Sequence, residues 1–106
     1  MLELFAGEQT VALQARGTKI SLGRGADAAL SLNDPRVSRM HATLEWCGGQ
    51  FVLTDASSYG TWVYFGNQCE AVVLRRTECY LVGNDQISAG CEREDGSPLV
   101  SFSVGS

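Results

Sequence analysis

No window of this chain keeps apolar residues at helical spacing for three turns. An amphipathic helix repeats its apolar face at i, i+3, i+4 and i+7, whereas here short apolar or alternating segments are cut every few residues by turn formers. The segments are Leu2 to Phe5, Thr10 to Ala15, Lys19 to Leu22, Ala28 to Leu32, Ala42 to Trp46, Gln50 to Thr54, Thr61 to Tyr64, Glu70 to Leu74, Glu78 to Val82, Gln86 to Ser88 and Leu99 to Val104. Gly7-Glu8-Gln9 joins the first two as a hairpin, and Gly48-Gly49 is the strongest hairpin signal in the chain. Ala26 to Leu30, the nearest approach to a helix, is too short and lies between glycines and a proline. Gly90 to Pro98, with Glu92, Arg93, Glu94, Asp95 and Gly96, reads as an exposed loop. Many short strands with closely spaced turns mean an all-β sandwich or barrel.

A chain of 106 residues is enough for one core, and residues 1–106 are read as a single domain. The net charge of −4 argues against a general nucleic-acid binder, because phosphate backbones demand a net basic surface. The charges are unevenly placed. Arg16, Lys19, Arg24, Arg36 and Arg39 precede position 42, opposed there by Glu3, Glu8, Asp27 and Asp34. A small basic site on an acidic body suits a local anionic ligand. No apolar run approaches a bilayer span, and the N-terminus lacks a basic region followed by an apolar core, so the expectation is a cytoplasmic domain without membrane contact. Cys47, Cys69, Cys79 and Cys91 form no C-x-x-C pair, and the single histidine supplies no alternative ligand set. That excludes zinc ribbons and fingers, and the thiols are expected to be buried and reduced.

The chemistry concentrates in Asp34-Pro35-Arg36-Val37-Ser38-Arg39-Met40-His41. Guanidinium forks and a hydroxyl converging from one loop suit a phosphate group. Two competing readings fall away. Gly23-x-Gly25-x-x-Ala28 fits the dinucleotide fingerprint formally, but that fingerprint needs a helix opening at its third small residue, and Leu30-Ser31-Leu32 is extended and closed by Pro35. Ser38, His41 and Asp55 have the residue types of a hydrolytic triad, yet nothing marks a strained nucleophile elbow. A histidine pinning a loop through backbone hydrogen bonds is the commoner case.

Gly23-Arg24, then Ser38-x-x-His41, then Asp55-x-Ser57-Ser58-x-Gly60-Thr61, in that order and each at a strand-to-loop boundary, resemble the forkhead-associated (FHA) domain. The resemblance covers nearly the whole chain. It implies an FHA/SMAD-like, two-sheet β-sandwich of about eleven short, mostly antiparallel strands that binds phosphothreonine peptides, with no catalytic activity, no cofactor and no metal. Matched residue by residue, Arg24 and Ser38 fall on the principal phosphate ligands, Arg39 on an assisting position, and Ser58 on a loop position near the phosphothreonine. Gly23, His41, Gly60 and Thr61 match residues that shape the loops, and Arg36 is expected at the rim. Phosphothreonine on a partner protein implies a Ser/Thr kinase upstream. Trp62 to Phe65 and Val73 to Arg76 are similar to FHA domains appended to bacterial nucleotide cyclases, although no cyclase sequence is present.

One position departs from the family. Tyr59 stands where an asparagine usually hydrogen-bonds the peptide backbone. A phenol has one hydroxyl where an amide has paired donors and acceptors, so it cannot reproduce that double contact. The alternative reading is therefore a phosphate-independent docking or self-association domain that retains the fold.

Overall fold

The computed structural model describes residues 1–66 and 70–105. Among them the chain forms eleven strands and no helix: β1 (Leu2–Ala6), β2 (Gln9–Leu13), β3 (Ile20–Gly23), β4 (Leu30–Ser31), β5 (Ala42–Cys47), β6 (Gln50–Asp55), β7 (Thr61–Val63), β8 (Val72–Leu74), β9 (Glu78–Leu81), β10 (Asn84–Ala89) and β11 (Leu99–Val104). They make two sheets, ordered β2-β1-β11-β10-β7-β8 and β4-β3-β5-β6-β9. Pairing is antiparallel throughout except between β3 and β4.

Turn chemistry sets the register. Gly48 and Gly49 take φ of +59° and +89°, the pair of positive angles that lets a two-residue turn follow the strand twist. Cys47 consequently faces Gln50, and the β5–β6 ladder runs unbroken to Ala42 opposite Asp55. Side chains alternate across each strand. Leu2 and Leu4 of β1, Ile87 of β10, and Val100 and Phe102 of β11 therefore bury against Leu22, Leu44, Leu53 and Leu81 of the opposite sheet. Full burial of such side chains stabilises the fold by about 1.5–3 kcal/mol each. Every buried side-chain nitrogen or oxygen among the described residues has a hydrogen-bond partner.

Several sequence-based boundaries shift for local reasons. The Ala28 to Leu32 segment yields only the two residues of β4, because the Ala28 N–H closes a turn onto the Gly25 carbonyl at 3.2 Å. The segment from Thr10 stops at Leu13, where Gly17 bonds back to the Gln14 carbonyl at 2.8 Å and Arg16 adopts φ 63°. Gln86 to Ser88 grows into the six residues of β10, paired with both β7 and β11. The Gly90 to Pro98 loop is also less free than expected. Arg93 stacks on the Tyr64 ring at 4.0 Å and donates to Asp85 and Gln86, and its own N–H meets the Tyr64 hydroxyl at 2.8 Å.

At one flank the sheets are joined by a side chain. The Gln9 carboxamide donates to the Ser31 carbonyl at 2.6 Å and accepts the Ser31 N–H at 2.9 Å, linking β2 to β4.

The cysteine expectation needs correction. Cys47 is exposed, because β5 carries it outward to the hairpin turn, and Cys79 and Cys91 are only half-buried. All three are free thiols, and burial pushes the Cys79 thiol up to about 11. Cys69 lies outside the described residues. Among the described residues no helix is long and apolar enough to cross a membrane, and no group of three or more His, Cys, Asp or Glu side chains is placed to hold a metal ion.

The registers also place the loops. Leu22 faces Ala42, Ala42 faces Asp55, and Ala89 faces Thr61. The connections after β3, β6 and β10, and the one entering β5, therefore gather at the same end of the sandwich.

Candidate functional site

The loop between β4 and β5 is shaped from within. An Asp34 carboxylate oxygen accepts the Arg36 N–H at 2.8 Å, the side-chain-to-backbone turn typical of aspartate, and Val37 N–H returns to the Asp34 carbonyl at 3.0 Å. Val37 is buried and fastens the loop to the core. Ser38 then donates its backbone N–H to His41 Nδ1 at 3.0 Å. A nitrogen that accepts carries no proton, so the proton sits on Nε2, which donates to the Gly60 carbonyl at 3.0 Å. Burial lowers the His41 pKa, in keeping with this neutral ring. The triad geometry is therefore absent: the backbone of Ser38, not its hydroxyl, meets the imidazole.

The turn after β3 is laid against this loop. Arg24 N–H bonds the Ser38 carbonyl at 3.0 Å and Gly25 N–H the Arg39 carbonyl at 3.3 Å. The approach is close enough that a Cβ on Gly23 would lie 2.1 Å from the Arg39 carbonyl oxygen. Only glycine fits there.

The β6–β7 loop hangs from Asp55, which is almost fully buried. Burial alone would raise its pKa, but donors from Ser57 and Thr61, both at 2.6 Å, and from the Arg76 N–H at 2.8 Å hold it below the usual carboxylate value. The Ser57 hydroxyl in turn accepts the Gly60 N–H at 2.8 Å. Gly60 has φ +100°, and its carbonyl receives both His41 and the Gly90 N–H, the latter at 2.9 Å. Three loops thus meet on one carbonyl oxygen. His41 Nε2 lies 4.0 Å from Asp55, but with a neutral ring this is no ion pair.

These loops enclose an open cleft of about 270 Å³, lined by Arg24, Pro35, Arg36, Val37, Ser38, Arg39, Ser58 and Tyr59. All five residues expected to bind a phosphopeptide border it, whereas Gly23, His41, Gly60 and Thr61 stand behind it as supports. No acidic residue lines the cleft. Among the described residues, the exposed guanidiniums of Arg24 and Arg39 have no carboxylate partner. Ser38 Oγ accepts the Ser58 N–H at 3.0 Å, which joins the two loops and leaves its hydroxyl hydrogen to be donated elsewhere. Tyr59 is 58% exposed at the rim. Two unpaired cations and a directional donor converge on a space that suits a compact, doubly charged anion with several acceptor oxygens.

Arg36 borders the cleft, as expected of a rim charge, but it is not free. Its guanidinium is engaged by Asp34 in a two-point contact at 3.0 and 2.9 Å and reaches the Gly96 carbonyl at 2.8 Å. The Asp34-x-Arg36 spacing announces the first contact in sequence. Nothing local announces the second, across 60 positions.

Residues 20–90, well over half the chain, match the FHA domain family. The chain belongs to that family. Among solved structures, it is similar to the FHA domain of human APLF in complex with an XRCC1 bisphospho peptide, with 26% identity, a TM-score of 0.74 and 97% of each chain covered. The FhaA FHA domain, complexed with the intracellular domain of Rv3910, is 26% identical over 96% of this chain and 99% of that one, with a TM-score of 0.67. The N-terminal FHA domain of Rad53p from S. cerevisiae, in complex with a phosphothreonine peptide, superposes with a TM-score of 0.75 over 98% and 93% of the two chains. At 19% identity that last likeness speaks for the fold alone. No curated protein sequence matches the chain. FHA domains are binding modules rather than enzymes.

Proposed function

We propose that this FHA domain is a phosphothreonine-dependent peptide-binding module of signalling, with the whole of residues 1–106 acting as one unit. The observation that carries the reading is the pairing of unpartnered Arg24 and Arg39 guanidiniums with the Ser38 hydroxyl on a cleft free of acidic residues. Arg24 supplies the principal charge-assisted pair to the phosphate, Ser38 a directional hydrogen bond, and Arg39 a second charge. Ser58 and Tyr59 meet the peptide beside the phosphothreonine. The APLF complex with a bisphospho peptide supports the same class of ligand. The partner is then a phosphothreonine-bearing protein, the product of a Ser/Thr kinase, met in the cytoplasm. The likeness of Trp62 to Phe65 and Val73 to Arg76 to cyclase-appended FHA domains extends the proposal to a parent protein of that kind.

The test is a calorimetric titration with a degenerate phosphothreonine peptide library and its unphosphorylated twin. Micromolar affinity, roughly −8 kcal/mol, is expected for the phosphorylated library alone, with phosphoserine weaker. Arg24→Ala removes a charge-assisted contact worth about 1.5–3 kcal/mol, so binding falls at least about 10-fold. Tyr59→Asn restores an amide at the peptide-facing position and is expected to tighten binding. Equal response to both libraries, in the wild type and in Tyr59→Asn, refutes phosphate dependence and leaves the docking alternative standing.

A further inference from the structure

We infer that Arg36 is a positioning residue for the phosphate cleft, clamping the Ser38 loop to the β10–β11 loop of the other sheet; this rests on the phosphopeptide reading above. Although Arg36 borders the cleft, its fork is already occupied. Nε and one Nη2 contact hold Asp34 at 3.0 and 2.9 Å, Nη2 also donates to the Gly96 carbonyl at 2.8 Å, and Nη1 lies 3.6 Å from Glu94. Pairing with Arg36 in turn lowers the Asp34 pKa to about 2, so the carboxylate persists at any working pH.

The far side of the clamp is firm. Ser97 Oγ accepts the Glu94 N–H at 2.7 Å and donates to the Glu92 carbonyl at 2.9 Å, and Arg93 anchors the loop to Tyr64, Asp85 and Gln86. The backbone at Arg36 is also pressed against this loop: a Cβ on Gly90 would fall 2.2 Å from the Arg36 carbonyl oxygen. Two residues further on, Ser38 presents the hydroxyl that accepts the Ser58 N–H. Fixing Arg36 therefore fixes the start of the segment that aims this hydroxyl, and order present before binding lowers the entropic cost of taking up a ligand.

Electrostatics alone predicts the opposite sign for one of the partners. Deleting the Asp34 carboxylate, an anion beside an anion site, would strengthen phosphate binding if charge were all that mattered. A clamp predicts weakening.

The experiment uses the full 106-residue chain with Arg36→Ala, Arg36→Lys, Asp34→Ala and the double alanine variant. Two readouts are taken: affinity for a phosphothreonine peptide, and hydrogen exchange of the Ser58 amide in the unliganded protein. Each single variant is expected to weaken binding about 3- to 10-fold, the size of losing order at one or two side chains, and the double variant no more than the singles. Lysine does not rescue, since an ammonium cannot reproduce the fork. Ser58 exchange accelerates while the β5 and β6 ladder amides keep their protection. Tighter or unchanged binding by Asp34→Ala, or unchanged Ser58 exchange in Arg36→Ala, overturns the clamp. If the wild type binds no phosphopeptide, the functional proposal fails by itself and the exchange measurement still decides the clamp.

Discussion

His41 offers the most discriminating perturbation, because its neutral state is written into two hydrogen bonds of opposite sense. Nδ1 accepts from Ser38 and Nε2 donates to Gly60. Protonation would turn Nδ1 into a donor facing another donor. Burial lowers the folded-state pKa below the ordinary value of 6.5, so the unfolded chain takes up its proton first as the pH falls. The sign follows directly. The stability contributed by the neutral ring is complete above about 6.5 and declines below it, with a slope of at most about 1.4 kcal/mol per pH unit. This is the chain's only histidine, and the depressed pKa of Asp55 shifts its own losses to below the ordinary 3.8. Urea unfolding of the unliganded domain between pH 7.5 and 5.5 therefore isolates the effect, free of the phosphate group's own titration.

The companion variant is His41→Leu. It orphans the Ser38 N–H, at about 1–3 kcal/mol, while the Gly60 carbonyl keeps its bond from Gly90. A total loss of about 2–4 kcal/mol leaves a folded protein, given domain stabilities of about 5–15 kcal/mol. His41→Leu is expected to be less stable at pH 7.5 and flat through the window in which the wild type declines. Parallel pH profiles for the two proteins would refute the tautomer assignment and the reasoning built on it.

Other outcomes are as specific. Gly23→Ala forces the β3 turn away from the Arg39 carbonyl, so unfolding experiments should show a loss of about 1–3 kcal/mol, with phosphopeptide affinity falling more steeply than stability because Arg24 and Ser38 move apart. Thiol alkylation at pH 8, mapped by mass spectrometry, is expected to modify exposed Cys47 before Cys79 or Cys91. Cys79, with its thiol pushed up to about 11, should remain largely unmodified over the same interval.

The strands were legible because their signals are local. Gly48-Gly49 needs no distant partner to form its turn, and alternation in Ala42 to Trp46 marks the buried face without knowledge of the other sheet. The residues of the cleft were named through the resemblance to the FHA family. Arg24, Ser38, Arg39, Ser58 and Tyr59 lie at strand-to-loop boundaries that the sandwich brings to one end. What escaped depends on where loops from different parts of the chain meet. The Gly60 carbonyl collects His41 and Gly90, and Arg36 finds Gly96, through contacts that have no signature in their own neighbourhoods. Asp55, of a hydrolytic triad's residue type, is instead the hub of a buried turn, a role set by Ser57, Thr61 and the Arg76 N–H. The thiols are expected to be buried, but the position of Cys47 at a hairpin tip decides its exposure.

The carboxamide of Gln9, facing Ser31 as one peptide group faces another, gives the sandwich a handedness of access. Sheet edges are templates on which a foreign strand can grow. On the Gln9 flank both edges, β2 and β4, are stitched together, and a two-residue strand that would otherwise be easily peeled or extended is sealed. The remaining edges, β8 and β9, share the opposite flank, where the chain crosses between sheets through Arg75, Arg76 and Thr77. Among the described residues, the edges left for backbone pairing with an extended segment are those of β8 and β9, and the charged residues Arg75, Arg76 and Glu78 lie beside them.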